Sequence, residues 1–381
     1  LQHQRPRERV LAYFDGAFRH PELKHGSRLP STRQLAAELN VSQPTVQAVL
    51  RELAREGRVQ TKAGSGTFFV STSARPRKHL RIAVSVPISD GGRGHEWTRQ
   101  ICSGIFDAAS TQRTPVTLMP LSAKIEATDS VVDQLLAQRS EVDGLILFPY
   151  TFYPDSVRDE VCSAYEREGK PVVFLHPPSE TSTSNFVSPD YYGTCRRLGQ
   201  AWQKTGRRRI LLVTSAPLAQ SVSLRLRQAG LVSGLGSELG KTISLRVWEM
   251  PEGVTTEEAS KQSRALLDME GWLPDAIYLA SIHALELLAA IQERKLSVPA
   301  DVSVVGGVTT ADEAGFRDRL THLLIPVHNV GEELLKMLCQ RIEQKGASVP
   351  GRLLSVSIRG GATTRPEENA LLGIERGETV L

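Results

Sequence analysis

The chain of 381 residues is short of the groups that mark several common kinds of protein. Its four cysteines, Cys102, Cys162, Cys195 and Cys339, are scattered with no CxxC pair. That excludes a disulfide framework, argues against a thiolate metal site and implies a reducing compartment. No apolar run approaches the roughly 20 residues of a membrane span, and the N-terminus has no apolar signal-peptide core, so a cytoplasmic location is expected. GxSxG, HExxH and any cysteine–histidine metal spacing are missing, and no cofactor is expected. The run Gly64-Ser65-Gly66 is no phosphate loop, because no GK[ST] follows it. What remains is an ordinary globular balance, 40% apolar and 23% charged, long enough for two or three domains.

The net charge of +4 hides an asymmetry. Residues 1–80 carry 14 Lys+Arg against 6 Asp+Glu, whereas the remaining 301 carry 32 against 36. A basic head on a mildly acidic body is the electrostatic footprint of a nucleic-acid-binding module joined to something that does not bind nucleic acid.

The stretch from Arg28 to Val70 predicts two short helices, a tight turn and a hairpin. Ser31 and Gln34 have capping-box spacing, and Leu35, Ala36 and Leu39 give one apolar face. Asn40 suits a left-handed C-cap. Ser42 then caps a second helix whose first turn tolerates Pro44, with Val46, Val49, Leu50 and Leu53 as its buried stripe. Two β-rich runs, 58–61 and 67–70, flank the turn Lys62-Ala63-Gly64-Ser65-Gly66. An opening helix is expected over 7–19.

The words LPSTRQLA, VSQPTV, LAREG and GSGTF, in this order and spacing, resemble the winged helix-turn-helix of GntR-type transcription regulators across roughly the first 70 residues. The resemblance implies DNA as a partner. By it, Arg33 is a phosphate- or base-contacting residue, and Ser42, Gln43, Thr45 and Gln47 occupy the exposed start of the recognition helix. Lys62, Gly64, Ser65 and Gly66 form the wing. The family usually has arginines where Gln43 and Gln47 stand. Glutamine suits adenine N6 and N7 where arginine suits guanine, so an operator less dependent on guanine is expected.

Residues 71–79 carry Ser, Pro and basic side chains without apolar periodicity and read as a linker. From residue 80 onward, apolar β-branched runs alternate with helix-length segments: 81–86, 115–119, 143–148, 171–175, 209–215, 243–250, 275–280 and 301–306. This predicts parallel sheets of βαβ units, too many strands for one sheet and the right number for two lobes facing a cleft.

Phrases within 80–362 resemble the effector domain of LacI-type regulators, a fold shared with periplasmic sugar-binding proteins. They include RIAVSVP, ICSGIFDAA, DGLILF, PVVFL, Asp190-Tyr-Tyr-Gly193, Arg227-Gln-Ala-Gly230, PDAIYLA, VPADVSVVG and LTHLLIPVHNVGEELLKML. Three lobe crossings follow from it, near 178–190, 306–310 and 323–328, and a helix over 328–345 that returns to the first lobe and supports a homodimer. The ligand-facing candidates are Trp97, Asp190, Arg227, His283 and Thr309. Asp190 fits a helix N-cap equally well, and Arg227 could be a surface arginine. Where sugar-responsive relatives often carry Asn-Asp and Asp-Asp, this chain has Ser281-Ile282 and Val308-Thr309. Either the effector is not a sugar held in the usual way, or the cleft has lost its ligand and serves dimerisation alone.

The expectation is a three-part chain: a winged helix-turn-helix over 1–70, a linker over 71–79 and a two-lobed α/β body over 80–362. A C-terminal tail, 363–381, covers a lobe or is mobile. The function it implies is a dimeric, effector-controlled regulator of transcription, a repressor by resemblance, with no membrane partner. The competing classes are an enzyme with an aminotransferase-like body, which needs a longer body and a lysine-centred site, and a periplasmic solute-binding protein, which needs a signal peptide.

Overall fold

The computed structural model describes residues 6–17, 26–55, 58–62, 66–69, 80–85, 95–112, 114, 116–120, 128–148, 155–250, 254–269, 271–281, 283–307 and 319–374. Two compact units result, residues 1–78 and 79–381. Among the described residues no helix is long and apolar enough to cross a membrane.

The first unit holds helices α1 (Pro6–Ala17), α2 (Thr32–Glu38) and α3 (Gln43–Arg55), then strands β1 (Val59–Lys62) and β2 (Gly66–Phe69). The Ser31–Gln34 capping box closes reciprocally, Ser31 Oγ accepting from the Gln34 amide and Gln34 Oε1 from the Ser31 amide. Asn40 takes φ 49°, the left-handed turn that a short polar side chain tolerates. Val10, Phe14, Leu35, Val46, Val49 and Leu53 are buried together and lock the three helices around one core.

The second unit contains two six-stranded sheets. In chain order its elements are β3 (Leu80–Val84), α4 (His95–Thr111), β4 (Val116–Pro120), α5 (Thr128–Gln138), β5 (Gly144–Leu147), α6 (Asp155–Arg167), β6 (Val172–Leu175) and β7 (Phe186–Pro189). There follow α7 (Tyr191–Lys204), β8 (Arg209–Thr214), α8 (Val222–Leu235), β9 (Ser244–Glu249), α9 (Thr256–Leu267), β10 (Ala276–Ala280), α10 (Ala284–Glu293), β11 (Ser303–Gly306) and β12 (Thr321–Leu324). The chain closes with α11 (Val327–Glu343), β13 (Arg352–Leu354), β14 (Ser357–Arg359) and α12 (Pro366–Leu371).

The first lobe's sheet runs β13-β7-β6-β5-β3-β4, all parallel, with α4 and α11 on one face and α5 and α6 on the other. The second runs β14-β12-β11-β10-β8-β9, parallel except for β14, with α7 and α8 on one face and α9 and α10 on the other. Near-continuous apolar strands fit these doubly covered sheets.

Crossings between lobes fall at Asp190, at 325–326 and at 355–356. The first and second agree with expectation, but the crossing expected near 306–310 is wrong. β11 and β12 are parallel neighbours in one sheet, Val305 opposite Thr321, so the described residues on both sides of that segment belong to the second lobe. The third passage instead joins β13 to β14, three-residue strands too short to declare themselves. Asp190 N donates to Leu354 O at 2.8 Å, and Arg197 Nη2 to Val356 O at 2.9 Å, which ties the first and third passages together.

Of the two fates open to the C-terminal segment, residues 361–374 take the first and cover the second lobe. Thr363 exchanges bonds with the Val304 backbone, and Glu368 on α12 is fully buried against Arg207. Arg207 Nε donates to Glu368 Oε1 at 2.7 Å, and Glu368 Oε2 accepts from Ser303 Oγ at 2.5 Å and from the Arg365 amide at 2.8 Å. Every oxygen of the buried carboxylate is therefore satisfied, the condition under which such a pair is tolerated.

Candidate functional site

In the first unit the apolar stripe of α3 faces inward, so geometry dictates what faces out. Ser42, Gln43 and Gln47 are exposed and Thr45 is half-buried. Ser42 Oγ lies 2.8 Å from Thr45 Oγ1 and caps the Thr45 amide at 3.4 Å, orienting the start of the helix. Arg33 projects exposed from α2. These five expected contact residues thus belong to two adjoining helices that share one core.

The wing strands pair antiparallel with Lys62 opposite Gly66. Residues 26–29 brace the pair: Leu29 N donates to Thr67 O, Gly26 N to Phe69 O and Phe69 N to Ser27 O, each at 2.8 Å. Gly66 adopts φ +112°, where a side chain is strained, and a Cβ there would sit 3.0 Å from Arg28 Nε. Gly64 and Ser65, the linker 71–79 and the side chain of Lys62 lie outside the described residues.

In the second unit the carboxyl ends of the strands carry a chain of rings running between lobes. Trp97, near the start of α4, stacks on His176 at 6.1 Å between centroids. His176, just past β6, faces Tyr191 at 5.6 Å. Tyr191, the first residue of α7, carries the Arg227 guanidinium over its ring, Cζ 3.5 Å from the centroid. Arg227 on α8 donates through Nε to Tyr278 Oη at 3.0 Å and through Nη1 to Ser223 Oγ at 3.3 Å. The alternative of a surface arginine therefore fails: Arg227 is 6% exposed.

Burial governs the protonation of this chain. His176 is pushed down to about 3, first by burial and then by the Arg227 charge, and is neutral near pH 7. Its Nδ1 lies 3.0 Å from Ser188 Oγ, whose own proton goes to Pro189 O. Burial likewise raises the Tyr191 phenol, with Arg227 opposing, and pushes the Cys195 thiol up to about 12. Those groups stay protonated.

The remaining expected residues separate. Asp190 is the N-cap of α7, Oδ1 accepting from the Gly193 amide at 2.8 Å, and it stands at the first crossing beside Tyr191. His283 is buried at the N-cap position of α10, a helix packed on the opposite face of the second sheet from α8, which carries Arg227. Thr309 lies outside the described residues. Missed were His176, Tyr191, Ser223 and Tyr278. Tyr278 had a signal, being the one polar-tipped side chain in the strand AIYLA. Among the described residues no group of three His, Cys, Asp or Glu is placed to hold a metal.

Arg225, also on α8, pairs with Glu180 in the turn after β6, an ion pair between lobes. Close helix packing holds Arg227 in place. A Cβ on Gly230 would meet Tyr192 O at 2.4 Å, and one on Gly234 would meet Arg196 O at 2.2 Å. Only glycine lets α7 and α8 approach this closely.

Residues 7–69 match the bacterial regulatory proteins of the gntR family, and residues 200–364 the periplasmic binding protein-like domain. The lactose operon repressor of Escherichia coli (strain K12) is 32% identical over 243 residues, 63% of this chain and 63% of that protein. The chain thus matches under two thirds of that relative's length. Catabolite control protein A of Priestia megaterium is 22% identical over 247 residues, 65% of this chain and 71% of that protein. The crystal structure of the lac repressor dimer bound to operator and the anti-inducer ONPF is similar with a TM-score of 0.60 at 28% identity, covering 75% of this chain and 94% of that one. The chain joins a gntR-family winged helix-turn-helix to a two-lobed periplasmic-binding-protein-like body, and that body is homologous to those of the lactose operon repressor and catabolite control protein A.

Proposed function

We propose that the protein is a cytoplasmic transcription regulator, a repressor, that binds operator DNA as a homodimer and changes its affinity when a small molecule enters the cleft of the body. Arg33, Ser42, Gln43, Thr45 and Gln47 read or position DNA, with Lys62, Gly64, Ser65 and Gly66 as the wing. Trp97, Arg227 and the neighbouring Asp190 bind effector, together with the newly found His176 and Tyr191. His283 and Thr309 are kept as outer candidates. The organisation is a head over 1–70, a linker over 71–79 and an effector body continuing to the helix α12.

One observation carries this reading: a head with the polar start of its recognition helix exposed shares a chain with a body that buries a cation among rings at its cleft. A dimer converts the second half-site contact into an intramolecular event. An effector that prefers one lobe arrangement shifts the population of DNA-competent dimers. The similarity to the lactose operon repressor supports a binding function over an enzymatic one. Arg227, buried among rings and hydrogen-bonded to the hydroxyls of Tyr278 and Ser223, favours a ligand-binding cleft over one kept for dimerisation alone.

The test is selection of binding sites from random DNA with the full chain, followed by affinity measurements at fixed salt. A palindromic site bound by a dimer, weakened by alanine at Arg33, Gln43 and Gln47, is the expected result. Absence of any enriched sequence would sink the proposal.

A further inference from the structure

Two arginines of the head, Arg28 and Arg51, stand outside the set of DNA contacts proposed above. Both are exposed, and among the described residues neither has an acidic partner. Exposed cations are the rule on protein surfaces, so placement has to decide what these two do.

Arg51 is placed by the packing of α3. With Val46, Val49, Leu50 and Leu53 turned into the core, Gln43, Gln47 and Arg51 follow one another at helical spacing along the exposed side. At 1.5 Å per residue, Arg51 stands about 12 Å along the axis from Gln43. A recognition helix meets base edges with its N-terminal residues, so its far end passes from the bases to the level of the phosphates. The neighbouring acid does not oppose Arg51. Arg7 Nη2 on α1 donates to both oxygens of Glu52, at 2.7 and 2.9 Å, and neutralises the carboxylate of α3.

Arg28 is placed by the wing. Its backbone forms an antiparallel bridge with Phe68, held by the bonds from Leu29 N to Thr67 O and from Phe69 N to Ser27 O. Its side chain then folds over Gly66: Nε, Nη2 and Cζ lie 3.0, 3.4 and 3.6 Å from where a Cβ on Gly66 would stand. Glycine there makes room for a guanidinium as well as for a positive φ. A cation already packed on the wing has little rotamer freedom left to lose on binding.

We propose that Arg28 and Arg51 are DNA-phosphate contacts, one on the wing and one at the far end of α3, that anchor the head while Gln43 and Gln47 read bases. This rests on the DNA-binding reading above and divides its labour. The glutamines are neutral, so the electrostatic share of affinity falls to cations elsewhere on the head. A guanidinium suits that task, since it stays charged and pairs with phosphate oxygens through parallel N–H bonds. Such contacts fix orientation and carry no sequence information.

The experiment is fluorescence anisotropy with the full chain and two duplexes, one of random sequence and one carrying the site enriched by selection. Affinity is measured over a salt series for wild type, Arg28→Ala, Arg51→Ala and Gln47→Ala. Each lost phosphate contact should flatten the plot of log affinity against log salt by about 0.9, roughly 2 for a dimer with both heads bound. R28A and R51A should weaken binding to both duplexes by one common factor. Q47A should leave the slope alone and lower only the preference for the selected duplex. Arg28→Lys keeps the charge and should keep the slope. Lys204→Ala removes an exposed cation of the second unit and should leave the slope unchanged.

Each arginine stands or falls on its own slope, and an unchanged slope overturns its assignment. A loss confined to the selected duplex overturns it too, making the residue a base reader. Equal losses in R28K and R28A would show that Arg28 serves the packing of the wing, and an equal loss in K204A that net charge alone is being read; either result overturns the phosphate assignment. Failure of the wild-type chain to bind either duplex would instead remove the DNA-binding reading itself.

Discussion

Acid titration offers a direct probe of the ring chain around Arg227. His176 is held at about 3 by burial and the neighbouring guanidinium, against about 6.5 in an unfolded chain. Its folded value is depressed, so the stability it contributes is complete above about pH 6.5 and drains away as the pH falls toward 3. Between those limits the unfolded state holds a proton the native state refuses. The loss approaches about 1.4 kcal/mol per pH unit and amounts to about 2 kcal/mol between pH 7 and pH 5. The control is His176→Asn, which removes the titration, and asparagine tolerates the residue's left-handed backbone, φ +67°. Urea unfolding at pH 7 and pH 5 should show a wild-type loss larger than that of H176N by about 2 kcal/mol. Equal losses would refute the burial argument. Removing the guanidinium with R227M should restore only part of the difference, because burial is the larger cause.

Three other outcomes follow from the same geometry. Alanine at Gln43 or Gln47 should weaken operator binding by about 1–3 kcal/mol each if the side chain bridges a base. Because both are exposed, the melting temperature should stay within a degree or two; a large drop would place them in the fold instead. Gly66→Ala forces a side chain into φ +112° against Arg28. It should destabilise the wing by about 1 kcal/mol and lower DNA affinity, read by fluorescence anisotropy. Glu368→Gln leaves Arg207 buried without its counter-ion and should cost about 3–5 kcal/mol in urea unfolding. Replacing both partners by methionine should recover much of that loss, and failure to recover would show that the hydrogen bonds to Pro299 and Ser303 matter more than the charge.

The head was legible almost residue by residue because its signals are local. Ser31 and Gln34 cap across three residues, and Asn40 turns the chain by its own backbone preference. In the body, the strands with long apolar runs declared themselves. β13 and β14 did not, being three residues each and half exposed, and with them went the true third crossing. The cleft was legible only in part. Arg227 and Trp97 carried recognisable positions, but His176 joins them through space, on a turn whose sequence gives no hint of the rings on either side. Tyr191 was within sight, inside Asp190-Tyr-Tyr-Gly193, yet only the packing of α7 on α8 reveals that it lies under a guanidinium.

The three passages between lobes bear on how the protein leaves the ribosome. The first lobe's core includes Leu334, Leu335 and Leu338 of α11, and its sheet ends with β13. Its first five strands must therefore wait, unfinished, while nearly the whole second lobe is translated. The second lobe waits in turn for β14 and α12, made last. Only the head has its core encoded in one uninterrupted piece, residues 10–69. Synthesis should thus yield a folded head well before either lobe of the body is complete, and a chain truncated before residue 354 would strand both lobes with their apolar faces uncovered.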